Sequence, residues 1–228
     1  MTTEKRYEMI VDMIREYDNA TGSSGLNSLL KNPEQYKKCF CSFYATAAEL
    51  IIDTRAELDK KAGKGSTLST VKRILKNAPV HLAGIVTREH DFVVCDGYQL
   101  YFLNDDITSL PHIDSNMHFD DIMKDIESIC YREIQPPTKA ELKRYILEHK
   151  ENIKLEKNRK EVLPLLLDDI SEIAVNPEFI VNALEVLENP KFYISDSRIK
   201  PVYVTGDNGR GIFLPINYTK CGRIEKAA

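Results

Sequence analysis

No apolar run in this 228-residue chain approaches the ~20 residues a helix needs to cross a bilayer, which argues against a membrane protein. The opening Met-Thr-Thr-Glu-Lys-Arg leads into an amphipathic pattern and not a secretory hydrophobic segment, so a cytoplasmic location is expected. Cysteine is sparse: Cys39, Cys41, Cys95, Cys130 and Cys221 are odd in number and scattered, which excludes a disulfide framework. Cys39 and Cys41 point to different faces of a helix, so they do not read as a metal pair, and Cys39 reads as a small packing hydrophobe. No charge of one sign dominates. The net charge of -4 gives no push toward nucleic acid, and any surface facing DNA has to be a local patch.

Catalytic patterns are missing as well. The chain has no His-Glu-x-x-His, no nucleophile elbow, no dinucleotide fingerprint and no carboxylate pair backed by histidine on one helix face. Gly63-Lys64-Gly65-Ser66-Thr67 lacks the spacing of a phosphate-binding loop and reads as a basic linker with a helix cap. A non-enzymatic protein without cofactor or metal is expected. His90, His112 and His118 fall in loops without ligand spacing and read as ordinary surface residues.

What remains is an ordinary globular composition, 43% apolar and 29% charged, sufficient for one or two domains. Tyr7, Ile10, Val11, Ile14 and Tyr17 recur at helical spacing and predict an amphipathic helix over 4–17, followed by a loop near Gly22 and Gly25. Asn32-Pro33-Glu34-Gln35 has the form of a helix cap and predicts one long helix over 32–61, with Tyr36, Phe40, Phe43, Ala47, Leu50, Ile51, Thr54 and Leu58 as its buried stripe. Basic and acidic residues nearly balance in this segment. After the linker, Leu68, Val71, Ile74 and Leu75 predict a helix over 67–77, with Lys72, Arg73 and Lys76 outward. Strands follow over 80–87, 91–95 and 98–103, the last two joined at the hairpin signal Asp96-Gly97. Asp96 reads as a residue accepting hydrogen bonds within its own turn.

The middle of the chain predicts a helix over 120–130, a capping box between Thr138 and Glu141 opening a helix to 149, a short strand over 151–155, and an edge or crossover strand over 161–167 containing Pro164. The closing stretch is the most fully specified. Asn176 is an N-cap with Pro177 at the first helical position, and Asn189-Pro190 stops that helix. Strands over 192–194, 202–205 and 212–215 follow, with Asn208-Gly209 in the second turn. Helix then three strands therefore occurs twice, which argues for a domain of two related halves. The tail over 219–228 is small and polar.

These residues also carry a resemblance. Val175-Asn176-Pro177-Glu178-Phe179 with Ala183-Leu184, Pro201-Val202-Tyr203 and Leu214-Pro215 resembles the closing half-domain of a bacterial DNA polymerase sliding clamp. Leu82-Ala83-Gly84-Ile85 and Cys95-Asp96-Gly97-Tyr98-Gln99-Leu100 resemble the central strand and turn of the first half, with Cys95 where that family has threonine. Residues 110–122 resemble the crossover between halves. The likeness covers about one clamp domain and suggests a phage or mobile-element relative. It implies an α+β fold of two βαβββ halves: an N-terminal helical segment over 1–65, a clamp-like domain over 66–218 with a helical insertion near 120–160, and the tail.

In that family, basic helices meet double-stranded DNA without reading its sequence, and partner proteins dock on the outer surface. The resemblance assigns such contacts here to Lys72, Arg73 and Lys76, with Lys60, Lys61 and Lys64 just before them. Replication proteins and further copies of the chain are its implied partners. The second matching helix departs, carrying Glu178, Glu185 and Glu188 without a basic residue. The alternative is a protein-interaction or structural module that keeps the fold without encircling DNA.

Overall fold

The computed structural model describes residues 2–38, 42–88, 91–107, 109–115, 117–129, 131–155, 164–217 and 221–223. Cys39, Phe40, Cys41, His90, Cys130, Glu161, Val162, Leu163 and most of the tail lie outside the described residues. In chain order come α1 (Thr3–Thr21), α2 (Leu26–Lys31), a 3-10 turn (Pro33–Lys38), α3 (Ser42–Lys61), α4 (Gly65–Lys76), a second 3-10 turn (Val80–Leu82), β1 (Ile85–Thr87), β2 (Phe92–Cys95), β3 (Gln99–Leu103) and β4 (His112–Ile113). They are followed by α5 (Phe119–Glu127), β5 (Arg132–Ile134), α6 (Lys139–Leu155), β6 (Leu165–Asp168), β7 (Ile173–Val175), α7 (Pro177–Val186), β8 (Lys191–Ile194), β9 (Val202–Gly206) and β10 (Gly209–Phe213). The class is mixed α and β. Among the described residues no helix is long and apolar enough to cross a membrane.

The chain divides into two compact units, residues 1–96 with 105–115, and residues 97–104 with 116–228. The boundary expected at 65/66 falls inside the first unit, which holds the N-terminal helices together with α4, β1, β2 and β4.

In the first unit, α1 begins at the N-cap Thr2, whose side chain accepts from the Lys5 N–H at 3.3 Å. It continues to Thr21, four residues beyond the expected end, because Gly22 adopts the left-handed conformation (φ 68°) that closes the last turn. The short helix α2, for which no element was expected, follows the loop at Gly22 and Gly25. Ile10 and Ile14 from α1, Leu29 from α2, and Ala47, Ala48 and Ile51 from α3 form one buried cluster. The amphipathic stripe read in the sequence thus packs on its sequence neighbours.

Where one helix was expected over 32–61, Pro33–Lys38 form a 3-10 turn and α3 starts at Ser42. The Tyr36 and Tyr44 ring centroids lie 5.8 Å apart. The expected strand over 80–87 is also mostly turn. The Leu82 N–H closes onto the Pro79 carbonyl at 2.8 Å, which leaves Val80 exposed and Leu82 buried, and β1 starts only at Ile85. Strand β4, not foreseen, pairs in parallel with β1, giving the order β4-β1-β2. Gly84 makes this approach possible, because a Cβ there would lie 2.7 Å from the Pro111 carbonyl oxygen.

In the second unit the strand order is β3-β10-β9-β8-β5, antiparallel throughout. All five residues of β3 are buried, with Tyr101 and Phe102 fully enclosed. Strands β9 and β10 run to Gly206 and from Gly209, so the hairpin turn is tighter than the 206–211 separator suggested. β6 and β7 form a separate two-stranded sheet; β6 starts at Leu165, so Pro164, expected inside a strand over 161–167, lies just before it, and 161–163 fall outside the described residues. β7, α7, β8, β9 and β10 follow one another as strand, helix, strand, strand, strand. In the first half helix α3, and no strand, precedes α4.

The capping box forms as read: Glu141 Oε2 accepts from the Thr138 N–H and hydroxyl, both at 2.7 Å, and Thr138 Oγ1 accepts from the Glu141 N–H at 3.3 Å. Thr138→Ala is expected to lower stability by about 1 kcal/mol, measured by urea denaturation. Helix α6 then runs on to Leu155 and absorbs the strand expected over 151–155, its Lys150 pairing with Glu178 of α7. β5, also unforeseen, pairs with β8.

Candidate nucleic-acid interface

Helix α4 is divided cleanly. Leu68, Val71, Ile74 and Leu75 are buried, while Lys72, Arg73 and Lys76 are exposed. Spacings of three and four residues put these three cations on one side of the helix. Two of them, Arg73 and Lys76, lie in the last turn, where positive charge also complements the helix dipole. Among the described residues neither Lys72 nor Lys76 has an acidic partner.

The other expected contacts separate into available and engaged groups. Lys60 is exposed at the end of α3. Lys61 Nζ donates to Thr3 Oγ1, tying α3 to the start of α1. Lys64 Nζ donates to the Asp106 carbonyl oxygen at 2.9 Å and lies 3.6 Å from an Asp105 carboxylate oxygen, so it clamps the 105–106 loop. The basic linker was expected as solvated, flexible surface, but tertiary partners take up Lys61 and Lys64. Lys60, Lys72, Arg73 and Lys76 are the exposed cations of the expected patch.

Gly97, Asn176 and Pro177 hold the positions read for them, while Gly209, read as a turn residue, opens β10. Gly97 has φ 92° in the connection from β2 to β3, a conformation that favours glycine. Asn176 accepts from the Glu178 N–H at 3.0 Å with Pro177 behind it. Asn208 does more than turn the chain: its Nδ2 donates to the Val186 carbonyl at 3.1 Å and its Oδ1 accepts from the Glu188 N–H at 2.8 Å. That contact terminates α7 at Val186, ahead of the stop read at Asn189-Pro190.

The acidic character of α7 is neutralised within its own unit. Glu178 pairs with Lys150 at 2.5 Å, and Glu185, only 9% exposed, lies 2.9 Å from Lys139 and 3.3 Å from Lys143, all three lysines being on α6.

One histidine departs from its expectation. His112 is not an ordinary surface residue: its side chain is 19% exposed, Nδ1 lies 2.9 Å from Thr87 Oγ1, and Nε2 lies 3.1 Å from Asp106 Oδ1. His118 is exposed, as expected. His112, Thr87 and Asp106 line a cavity of about 630 Å³ in the first unit, together with Arg55 and Tyr7. Sequence inspection missed Arg55 and His112 because their partners are 48 and 25 residues away, and no local pattern marks either one. Among the described residues no group of three or more histidine, cysteine or carboxylate side chains is placed to hold a metal ion. Comparison with protein-family models, with characterised proteins and with solved structures finds no match to the chain.

Proposed function

We propose that the chain is a non-enzymatic, clamp-like accessory protein that associates with double-stranded DNA and with replication proteins, using the exposed face of α4. The observation that carries this reading is the arrangement of Lys72, Arg73 and Lys76 on a helix whose opposite face is locked into the core. Such a surface meets phosphates at fixed spacing without base contacts, so binding is non-specific and weakens steeply with salt. Lys60 extends the patch, whereas Lys61 and Lys64 support its framework.

The combined substitution Lys72→Glu, Arg73→Glu and Lys76→Glu is expected to weaken duplex retention at low salt by at least about tenfold. Fluorescence anisotropy with a labelled duplex, read across a salt series, measures it. Retention equal to the parent chain would sink the DNA-binding role.

A second reading, a protein-interaction module that retains the fold without encircling DNA, is favoured by α7. The resemblance places α7 on a DNA-facing wall, yet its Glu178 and Glu185 are satisfied by lysines of α6. The mass in solution separates the readings. A closed assembly of several copies supports the ring, and a monomer or simple dimer supports the module.

A further inference from the structure

We propose that the cavity of the first unit binds a small organic anion, a phosphate or carboxylate carried on an apolar body. Its volume of about 630 Å³ lies within the range of small-molecule sites. Leu30, Leu58, Val86 and Ile113 supply apolar wall, and the charged lining consists of Lys31, Arg55 and Arg88 against Asp106 and Asp114, three cations to two carboxylates.

Arg55 marks where the anion sits. Its Nε and Nη2 donate to the Tyr7 hydroxyl at 3.3 and 2.9 Å, and its guanidinium carbon lies 5.6 Å from the centre of the same ring. Tyr7 is neutral, so it orients the guanidinium without balancing its charge. Among the described residues no carboxylate pairs with Arg55, although it is only partly exposed. Two of the five guanidinium N–H groups go to Tyr7, and the rest are available to an anion. Lys31 meets Asp114 at 3.1 Å, and His112 Nε2 lies 3.1 Å from Asp106 Oδ1. An oriented arginine without a counter-ion, beside an apolar wall, fits a bidentate phosphate or carboxylate whose carbon skeleton covers that wall.

The test uses phenyl phosphate as probe, with inorganic phosphate and phenol as its two halves, each titrated calorimetrically into the full chain. Saturable binding of phenyl phosphate is expected, with each half at least about tenfold weaker. Arg55→Gln should weaken phenyl phosphate by about tenfold or more. Tyr7→Phe, which keeps the ring and removes the hydroxyl that orients Arg55, should weaken it several-fold and decides the matter if Arg55→Gln does not fold. Absence of saturable binding at millimolar phenyl phosphate overturns the proposal, as does unchanged affinity in a folded variant. None of these outcomes touches the α4 face, whose role is read from duplex retention.

Discussion

Gly209→Ala is expected to destabilise the second unit by about 3 kcal/mol or more, as a drop in the urea midpoint. A Cβ at this position would lie 2.2 Å from the Phe102 carbonyl oxygen and 3.2 Å from the Leu103 Cα. Both are backbone atoms of β3, so no side-chain rotation relieves the collision. β10 would have to move away from β3 where Gly209 opposes Leu103, straining the Asn104 N–H bond to the Asn208 carbonyl at 3.0 Å. Asn208 also ends α7, so the displacement reaches the helix. Gly97→Ala is the informative contrast. That glycine has φ 92° with open space where a Cβ would stand, and the cost there is about 1 kcal/mol of backbone strain alone. Equal losses at the two sites would refute the steric account.

Asp168→Ala is expected to cost about 2 to 3 kcal/mol, because one carboxylate oxygen organises the end of the two-stranded sheet. Oδ2 accepts from the Ile170 N–H at 3.1 Å and from the Ser171 N–H and hydroxyl at 2.7 Å, and it pairs with Arg132 of β5 at 2.5 Å. Burial alone would raise the carboxyl pKa, but the Arg132 guanidinium and the two Ser171 donors outweigh it and hold the value at about 2. A carboxyl depressed in the folded state contributes stability above its unfolded pKa of about 3.9 and loses it as pH falls through the folded value. The window is therefore about pH 4 down to about pH 2. Asp168→Asn removes the ionisable group at similar size. The stability gap between parent and Asp168→Asn should be about 1 to 2 kcal/mol at neutral pH, allowing for solvent screening, and should shrink across that window. A gap that does not change with pH would show that the carboxylate charge contributes nothing.

Much of the local structure was legible in the residues. The Thr138–Glu141 box, the Asn176-Pro177 cap and the buried stripe of α4 all form where their spacing put them. Each rests on groups within four positions of one another, so the signal and the structure share a length scale. β4 and β5 were not legible, since two or three residues carry no periodicity and each strand exists only through its partner. The same limit explains the 3-10 turn over Pro33–Lys38 and the run of α6 to Leu155 beside α7.

The candidate sites divide along the same line. The amino-acid order by itself determined that α4 would be amphipathic with Lys72, Arg73 and Lys76 outward, because helical periodicity leaves those positions no other face. Only the tertiary structure decided which lysines of the basic stretch remain available. Lys61 and Lys64 are claimed by Thr3 and Asp106, 58 and 42 residues away, while the acids of α7 are claimed by α6. It also decided that Arg55 would be oriented by Tyr7 without a counter-ion. Whether a charge is free depends on which atoms come within about 4 Å of it. For long flexible side chains those atoms belong to distant segments, which only the folded chain brings together.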